Sequence, residues 1–444
     1  MRTWRRLLTI GVMGIAGWAG AESRALANGR YPLANQLVID PRSSAHMVAR
    51  ATFGILATTD GGKNWTWICE DAIGYFGLED PPIAVFADGS TVVASSKSLS
   101  VSRDGGCSWV RATGAAGSRF GVDVAVDPIN PQRALAIESA PIDGAYSVFL
   151  VQTMDDGASW SDVGPTLGGE VLVETVEVAP SNPDRVYVSG RMRSLEQSAL
   201  LRSDDAGQSW TRLPVNAPSA VSAYIGAVDP RDANVVYVRA RSSVDTSGFA
   251  LVSRDAGASW TQVWSGPGDV AGFALSADGA ILAVGGPIAG IHVANTSDMV
   301  FRKTSSVGAS CLTFSGTALL ACAKEAIDQF SIGVSEDLGA HFTPLLHFPA
   351  ITPRDCASSS SAAVCGGIWP SIAPSLGIDA GAPATGGGAS GAQPEPGPGG
   401  GSGCSLSSAS PHTPPWWLGL VLWLAGTRRR RSERKPRHPA TDCA

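Results

Sequence analysis

The 444 residues contain no Cys-x-x-Cys pair, and their six histidines do not cluster with their eight cysteines. A thiolate or mixed Cys/His metal centre is therefore not expected. No phosphate-cradling glycine loop and no Ser-His-Asp set stands out, so nucleotide chemistry and triad hydrolysis have no motif to rest on, and no cofactor is expected. No apolar run reaches the ~20 residues of an ordinary membrane-spanning helix. Charged residues are only 16% of the chain, and the basic ones crowd the ends. Residues 1–27 and 427–444 hold 11 of the 33 basic and 3 of the 39 acidic residues, leaving 22 against 36 between them and a net charge near −14. Nucleic acid and anionic lipid both need a basic face, so neither is an expected partner of that central part.

What the ends do carry is addressing. Arg2, Arg5 and Arg6 precede an apolar stretch from Leu7 to Ala21, and small residues follow. That order is a signal peptide, residues 1–27. Two A-x-A sites compete for cleavage, Ala19-Gly20-Ala21 and Ala25-Leu26-Ala27; the second leads directly into polar Asn28-Gly29-Arg30 and is the expected one. At the other end, residues 379–403 are almost wholly Gly, Ala, Pro and Ser, too poor in apolar surface to offset the entropy of ordering them. A disordered linker is predicted there. Cys404-Ser405, a short spacer, the eleven residues Trp416–Gly426 and the block Arg428–Arg431 come next. As a helix, the apolar eleven span only about 16 Å, against roughly 30 Å of hydrocarbon. The arginines would hold the far side in the cytoplasm, with residues 432–444 as a basic tail.

This arrangement of Gly-Cys, short apolar helix and arginine cluster resembles the MYXO-CTERM sorting signal of myxobacterial surface proteins; the resemblance covers roughly the last 40 residues, with the sorting and anchoring signal at 404–431. The resemblance implies export and sorting machinery as partners, Cys404 as the lipid-bearing attachment point, and anchoring by the C-terminus at the bacterial cell surface, in the outer membrane. A plain short anchor with an incidental cysteine is the alternative.

With Cys404 and Cys443 assigned to the tail, six cysteines belong to the folded part: Cys69, Cys107, Cys311, Cys322, Cys356 and Cys365. An even number in an oxidising compartment suggests disulfides. Six cysteines allow fifteen pairings; chain proximity favours Cys311 with Cys322 and Cys356 with Cys365, leaving Cys69 for Cys107. Cys356 and Cys365 fall in a separate segment, residues 351–378.

Between the ends, one phrase recurs. It reads Thr58-Thr59-Asp60-Gly61-Gly62-Lys63-Asn64-Trp65 at its first occurrence, and Ser/Thr-x-Asp-x-Gly-x-x-Trp/Phe in general, around Asp60, Asp104, Asp155, Asp205, Asp255 and Asp337. The residue types have a mechanical reason. The aspartate accepts hydrogen bonds from N–H groups ahead of it, glycine supplies positive φ, and the aromatic ring enters the next strand to pack inward. Each phrase is a hairpin turn. It lacks the alternating carboxylates of a calcium loop, so no metal is expected.

The aspartates are 44, 51, 50, 50 and 82 residues apart. Two repeats fill the last gap if Val293–Phe301 is a degenerate copy, with Thr296 in the Asp place and Asp298 in the Gly place. The gap then splits into 41 and 41. A second apolar strand-and-turn phrase, such as Val38-Ile39-Asp40-Pro41 or Ala227-Val228-Asp229-Pro230, precedes each turn and gives four strands per repeat. Seven such units over residues 28–350 predict an all-β, seven-bladed propeller of four-stranded blades, followed by the linker and a short C-terminal apolar helix.

The phrase resembles the Asp-box, or bacterial neuraminidase repeat, of the sialidase-like propeller superfamily. The resemblance covers scaffold rather than activity. The sialidase Arg-Ile-Pro motif is absent, Arg50-Ala51-Thr52-Phe53 being the nearest arginine, and no tyrosine follows Tyr237 to act as nucleophile.

Chain order from the axis outward puts the repeated turns on one face and the remaining loops on the other. That second face should display Glu70, Asp71, Tyr75, Glu79, Asp80, Arg119, Asp143, Glu170, Glu196, Asp245, Asp269, Glu325 and Asp328. Arg191, Arg193, Arg239 and Arg241, from successive blades, can jointly grip a carboxylate or sulfate, or simply be solvated or ion-paired. Glu70, Asp80, Glu170 and Asp245 can be combined as a glycosidase carboxylate pair. Two functions are thus expected in competition: a non-enzymatic surface module for an extracellular protein or glycan, and a surface glycoside hydrolase or lyase.

Overall fold

A computed structural model describes residues 30–379 except 143–144, 194–196, 217–219 and 357–359. The expected signal peptide, linker, Cys404 and apolar tail lie outside the described residues. Among those described, no helix is long and apolar enough to cross a membrane.

Seven antiparallel sheets each contain four chain-consecutive strands, as the repeat predicts. The innermost strands are Ala34–Asp40, Ile83–Val85, Phe120–Val126, Val171–Val178, Ala220–Val228, Gly272–Leu275 and Cys311–Ser315. The sixth sheet, Gly272 to Ser305, is the unit inferred from the doubled gap. Its turn falls where predicted, but the positive φ sits on Met299 (53°), one residue beyond the expected Asp298.

The second strands, such as Val186–Met192 and Val236–Ser242, are rich in valine and tyrosine, and their middles are fully enclosed. Each sheet buries both faces against its neighbours. One core joins Ala179, Tyr187 and Leu200 of blade 4 to Ile225, Val236 and Leu251 of blade 5. The unpaired edge of an inner strand is a liability in any sheet. Here side chains of the preceding blade satisfy it. Gln36 both donates to Ile83 O (3.0 Å) and accepts from Ile83 N (3.1 Å). Asp123 Oδ2 accepts from Val176 N, and Thr175 Oγ1 from Ile225 N, each at 2.9 Å.

The six turns around the repeated aspartates share their hydroxyl and carboxylate bonds. In the fourth, Ser203 Oγ accepts from Gly207 N (2.8 Å), Asp205 Oδ1 accepts from Ser209 N (2.8 Å), and Trp210 Nε1 donates to Gly207 O (3.1 Å). Gly207 has φ of 96°, and a Cβ there would meet Leu150 Cδ2 of the preceding blade at 2.4 Å. Conformation and close packing both require glycine. The Asn64 backbone and side-chain N–H groups, with the Thr58 hydroxyl, hold Asp60 at about 2; those of Ser259 and Ser253 do the same for Asp255. The turn amides also bond the first-to-second turn of their own blade, Ala206 N to Asp184 O and Ala256 N to Asn234 O, both at 2.8 Å. These two sets of turns therefore share a face. Asp155→Ala should lower unfolding free energy by about 1 kcal/mol, the range for surface-exposed hydrogen bonds, as read by chemical denaturation. An unchanged midpoint would mean that the aspartate does not hold the turn.

The ring closes without strand exchange between the termini. The four antiparallel strands of blade 1 all come from residues 34–68 and those of blade 7 from 311–346. Ser310 Oγ donates to Ala34 O (2.6 Å), Trp65 Nε1 donates to Leu345 O (3.2 Å), and Phe53 meets Phe348 edge-on at 5.2 Å. Beyond blade 7, Thr352–Pro353 adds a fifth strand, parallel, to the outer strand Thr66–Ile68 of blade 1. Helix Ser360–Ile372 then lays Trp369 against Trp67, ring centroids 5.2 Å apart.

Disulfides fasten this return. The pairs are Cys69–Cys365, Cys107–Cys356 and Cys311–Cys322. The last agrees with chain proximity; the expected Cys356–Cys365 and Cys69–Cys107 pairs do not form. Proximity along the chain misleads here because ring closure brings residues 296 and 249 positions apart to Cα separations of 5.3 Å.

Candidate functional site

Charged side chains converge on the axis at blades that do not touch. Arg50 of blade 1 is influenced by both Asp123 of blade 3 and Arg239 of blade 5. Groups on alternate blades of a ring feel one another only by projecting toward its centre. All three are enclosed by the ring yet keep part of their side-chain surface accessible. Burial pushes Asp123 up to about 7, against its hydrogen bonds from Val176 N and Val124 N and the pull of Arg50 and Arg239. Arg50 donates through Nε to Asn35 Oδ1 and through Nη1 to Asp80 O, both at 2.8 Å. Arg239 donates to the Val270 and Ala271 carbonyls (3.0 and 3.1 Å), its guanidinium 5.2 Å from the Tyr224 ring centre.

A second group adjoins it. Glu174, raised to about 7 by burial, is opposed by Arg191, by a hydrogen bond with Tyr224 and by Arg239. Glu177 is pushed to about 8 by burial and by Asp123. Apart from this cluster, beside Arg119 and the outer-strand Asp162 of blade 3, burial raises Glu138 to about 7. Carboxyls held near neutrality beside guanidinium groups can donate or accept a proton and can grip polar ligands.

Of the expected arginine quartet, the structure brings Arg191 and Arg239 together around Glu174 and Tyr224. It does not bring in the other two: Arg193 Nε donates to Gly169 O (3.0 Å), and Arg241 pairs with Asp269 (3.2 Å). Of the four proposed carboxylates, Glu70 and Asp80 come near one another beside Arg30, while Glu170 and Asp245 are taken up elsewhere. Asp80 is gripped by Arg30 (2.7 and 2.8 Å) and Asn35 (2.9 Å). Nearby Glu70 rises to about 7 through burial, opposed by Arg30. Glu170 pairs with Arg212 (2.7 Å), and Asp245 caps its own loop by accepting from Ser247 N (2.8 Å).

The rest of the expected face is mostly structural. Tyr75 is buried with its hydroxyl unpartnered, Asp71 is exposed, and Glu79 accepts from Ser96 Oγ (2.8 Å). Arg119 pairs with Asp162, Glu325 with His347 (2.7 Å), and Asp328 accepts from Gly308 N (3.3 Å). Asp143 and Glu196 lie outside the described residues. Sequence reasoning missed Arg50, Asp123, Glu174 and Glu177 as site residues. Their signal was an ionisable side chain inside an otherwise apolar strand, as in Phe120–Val126 and Val171–Val178.

No protein-family model matches the chain, and no curated protein matches it. Solved structures do. An ancestral GH74 enzyme superposes with a TM-score of 0.52 at 15% identity, covering 71% of this chain and 45% of that one. Kuenenia stuttgartiensis hydrazine synthase gives 0.51 at 11%, covering 70% and 97%. The β-propeller domain of Myceliophteria thermophila Cps50 (Swd1) gives 0.45 at 9%, covering 68% and 96%. The chain thus spans less than half of the GH74 enzyme, and the likeness is one of fold: this is a seven-bladed β-propeller.

Proposed function

We propose that this chain is an exported Asp-box propeller, anchored at the bacterial cell surface through its C-terminal sorting signal, that binds extracellular protein or glycan without turning it over. One observation carries the binding reading. Ten of the fifteen large apolar side chains exposed among the described residues lie on the face opposite the repeated turns, including Phe76, Ile142, Val244, Ile288 and Ile327. Apolar tips ringing a charged centre suit recognition of a partner surface. The repeated turns, by contrast, spend their aspartates on their own amides.

A specific observation also favours the second reading, a glycoside hydrolase or lyase. Asp123 and Glu174 are partly accessible carboxyls held near pH 7, where a general acid works best. Incubating residues 28–379, which retain all six folded-domain cysteines, with a glycan panel separates the two. Saturable binding without turnover is expected; release of reducing ends from any glycan would sink the binding-only reading. For the address, Cys404→Ser should move the protein from cell surface to medium or inner membrane, and unchanged surface labelling would remove the sorting argument.

A further inference from the structure

A pocket of about 230 Å³ opens between blades 3 and 4 on the face opposite the repeated turns. Val122 and Val148 of blade 3 face Val171, Leu172 and Val173 of blade 4 across it, so its walls are aliphatic. Its polar residues are few: Ser139, Tyr146, and Arg193 beside Gly169. Arg193 is held by its backbone N–H to Glu170 O (2.8 Å) and by Nε to Gly169 O (3.0 Å). Its two terminal nitrogens make no hydrogen bond or ion pair with the described residues, and the neighbouring carboxylate, Glu170, is committed to Arg212 at 2.7 Å. The guanidinium is thus oriented, and its outward fork is unspent among the described residues.

We propose that this pocket binds a small amphipathic carboxylate, its apolar body between the valines and its carboxylate on the Arg193 fork. Size, wall and charge each select. An apolar cavity of about 150 Å³ already holds benzene, so this one takes a ring with a short arm. A fully polar ligand would gain nothing from aliphatic walls, and a cation would meet Arg193 at the entrance. The planar guanidinium matches a carboxylate bidentately. The inference concerns a site distinct from the channel and does not depend on the glycan or protein ligand proposed above.

The test uses the full chain with 3-phenylpropionate and its uncharged counterpart 3-phenylpropanamide, titrated by ligand-observed NMR. The acid should bind about tenfold or more tightly than the amide, the worth of a charge-assisted pair. Arg193→Gln should erase that preference and leave amide binding unchanged, since the residue is exposed and carries no part of the core. Ser139→Leu, which fills the pocket, should abolish binding of both probes at an unaltered melting temperature. Equal affinity for the two probes, no binding to the parent protein at millimolar concentration, or acid binding that survives both variants would overturn the proposal. Glycan binding by a protein that ignores 3-phenylpropionate would overturn this inference alone.

Discussion

Replacing Cys69 and Cys365 together by alanine should lower the melting temperature by roughly 5 °C, about one and a half times the effect of the Cys311/Cys322 double replacement. The argument starts from ring topology. With no strand shared between the first and last blades, the seam between blades 7 and 1 depends on side-chain contacts and on the C-terminal return. Cys69 and Cys365 lie 296 residues apart, but with Cys107–Cys356 in place the loop they close in the unfolded chain runs through that bridge and is only about 50 residues long, whereas Cys311–Cys322 links paired neighbours 11 apart. Chain-entropy reasoning assigns about 4 kcal/mol to the first loop and about 3 kcal/mol to the second. Alanine avoids leaving a buried hydroxyl, for all four sulfurs are enclosed. Scanning calorimetry at matched pH and protein concentration gives the comparison. Equal losses for the two double variants would show that the return segment is ornament rather than clasp.

The second large effect is on pH. The propeller should melt at a higher temperature at pH 5.5 than at pH 8. Asp123, Glu138 and Glu174 are raised to about 7 and Glu177 to about 8 in the folded state, each by burial first. Unfolded, they return to about 4. Between these limits the folded protein holds more protons than the unfolded chain, so stability falls as pH rises from about 4 through 8. The repeated-turn aspartates act in the opposite sense: Asp60 and Asp255, held at about 2, lose their contribution only below pH 4. Glu177 has no cationic partner among the groups acting on it. Glu177→Gln should therefore stabilise the protein at pH 8 by about 2 kcal/mol, a figure reduced for the accessible part of its side chain, and do little at pH 5.5. A melting temperature that climbs from pH 5.5 to pH 8 would overturn the account.

The blades were legible because each is specified locally. Ser203, Asp205, Gly207 and Trp210 lie within eight residues and close their own turn, so their pattern survives in the sequence whatever the rest of the chain does. Even the degenerate sixth unit kept its spacing. Its register was one residue off because its turn carries a single left-handed residue, Met299, where the others carry two in succession, the second a glycine.

The site was less legible. Asp123 and Glu174 sit within valine-rich strands, where a lone acid reads as a flaw in alternation. Their meaning comes from Arg50 and Arg239, which approach from blades 1 and 5. Arg193 and Arg241 looked equivalent to Arg191 and Arg239 in spacing, yet the Gly169 carbonyl turns Arg193 aside through its Nε and Asp269 takes up Arg241.

Sequence alone determined the repeat, the blade count, the strand order within each blade and the face on which the turns gather, because turn chemistry and strand alternation act over a few residues. Only the closed ring decided the rest. Which cysteines pair, which charges meet at the axis and where a pocket opens between blades 3 and 4 depend on distances between parts of the chain tens to hundreds of residues apart, and packing fixes those distances.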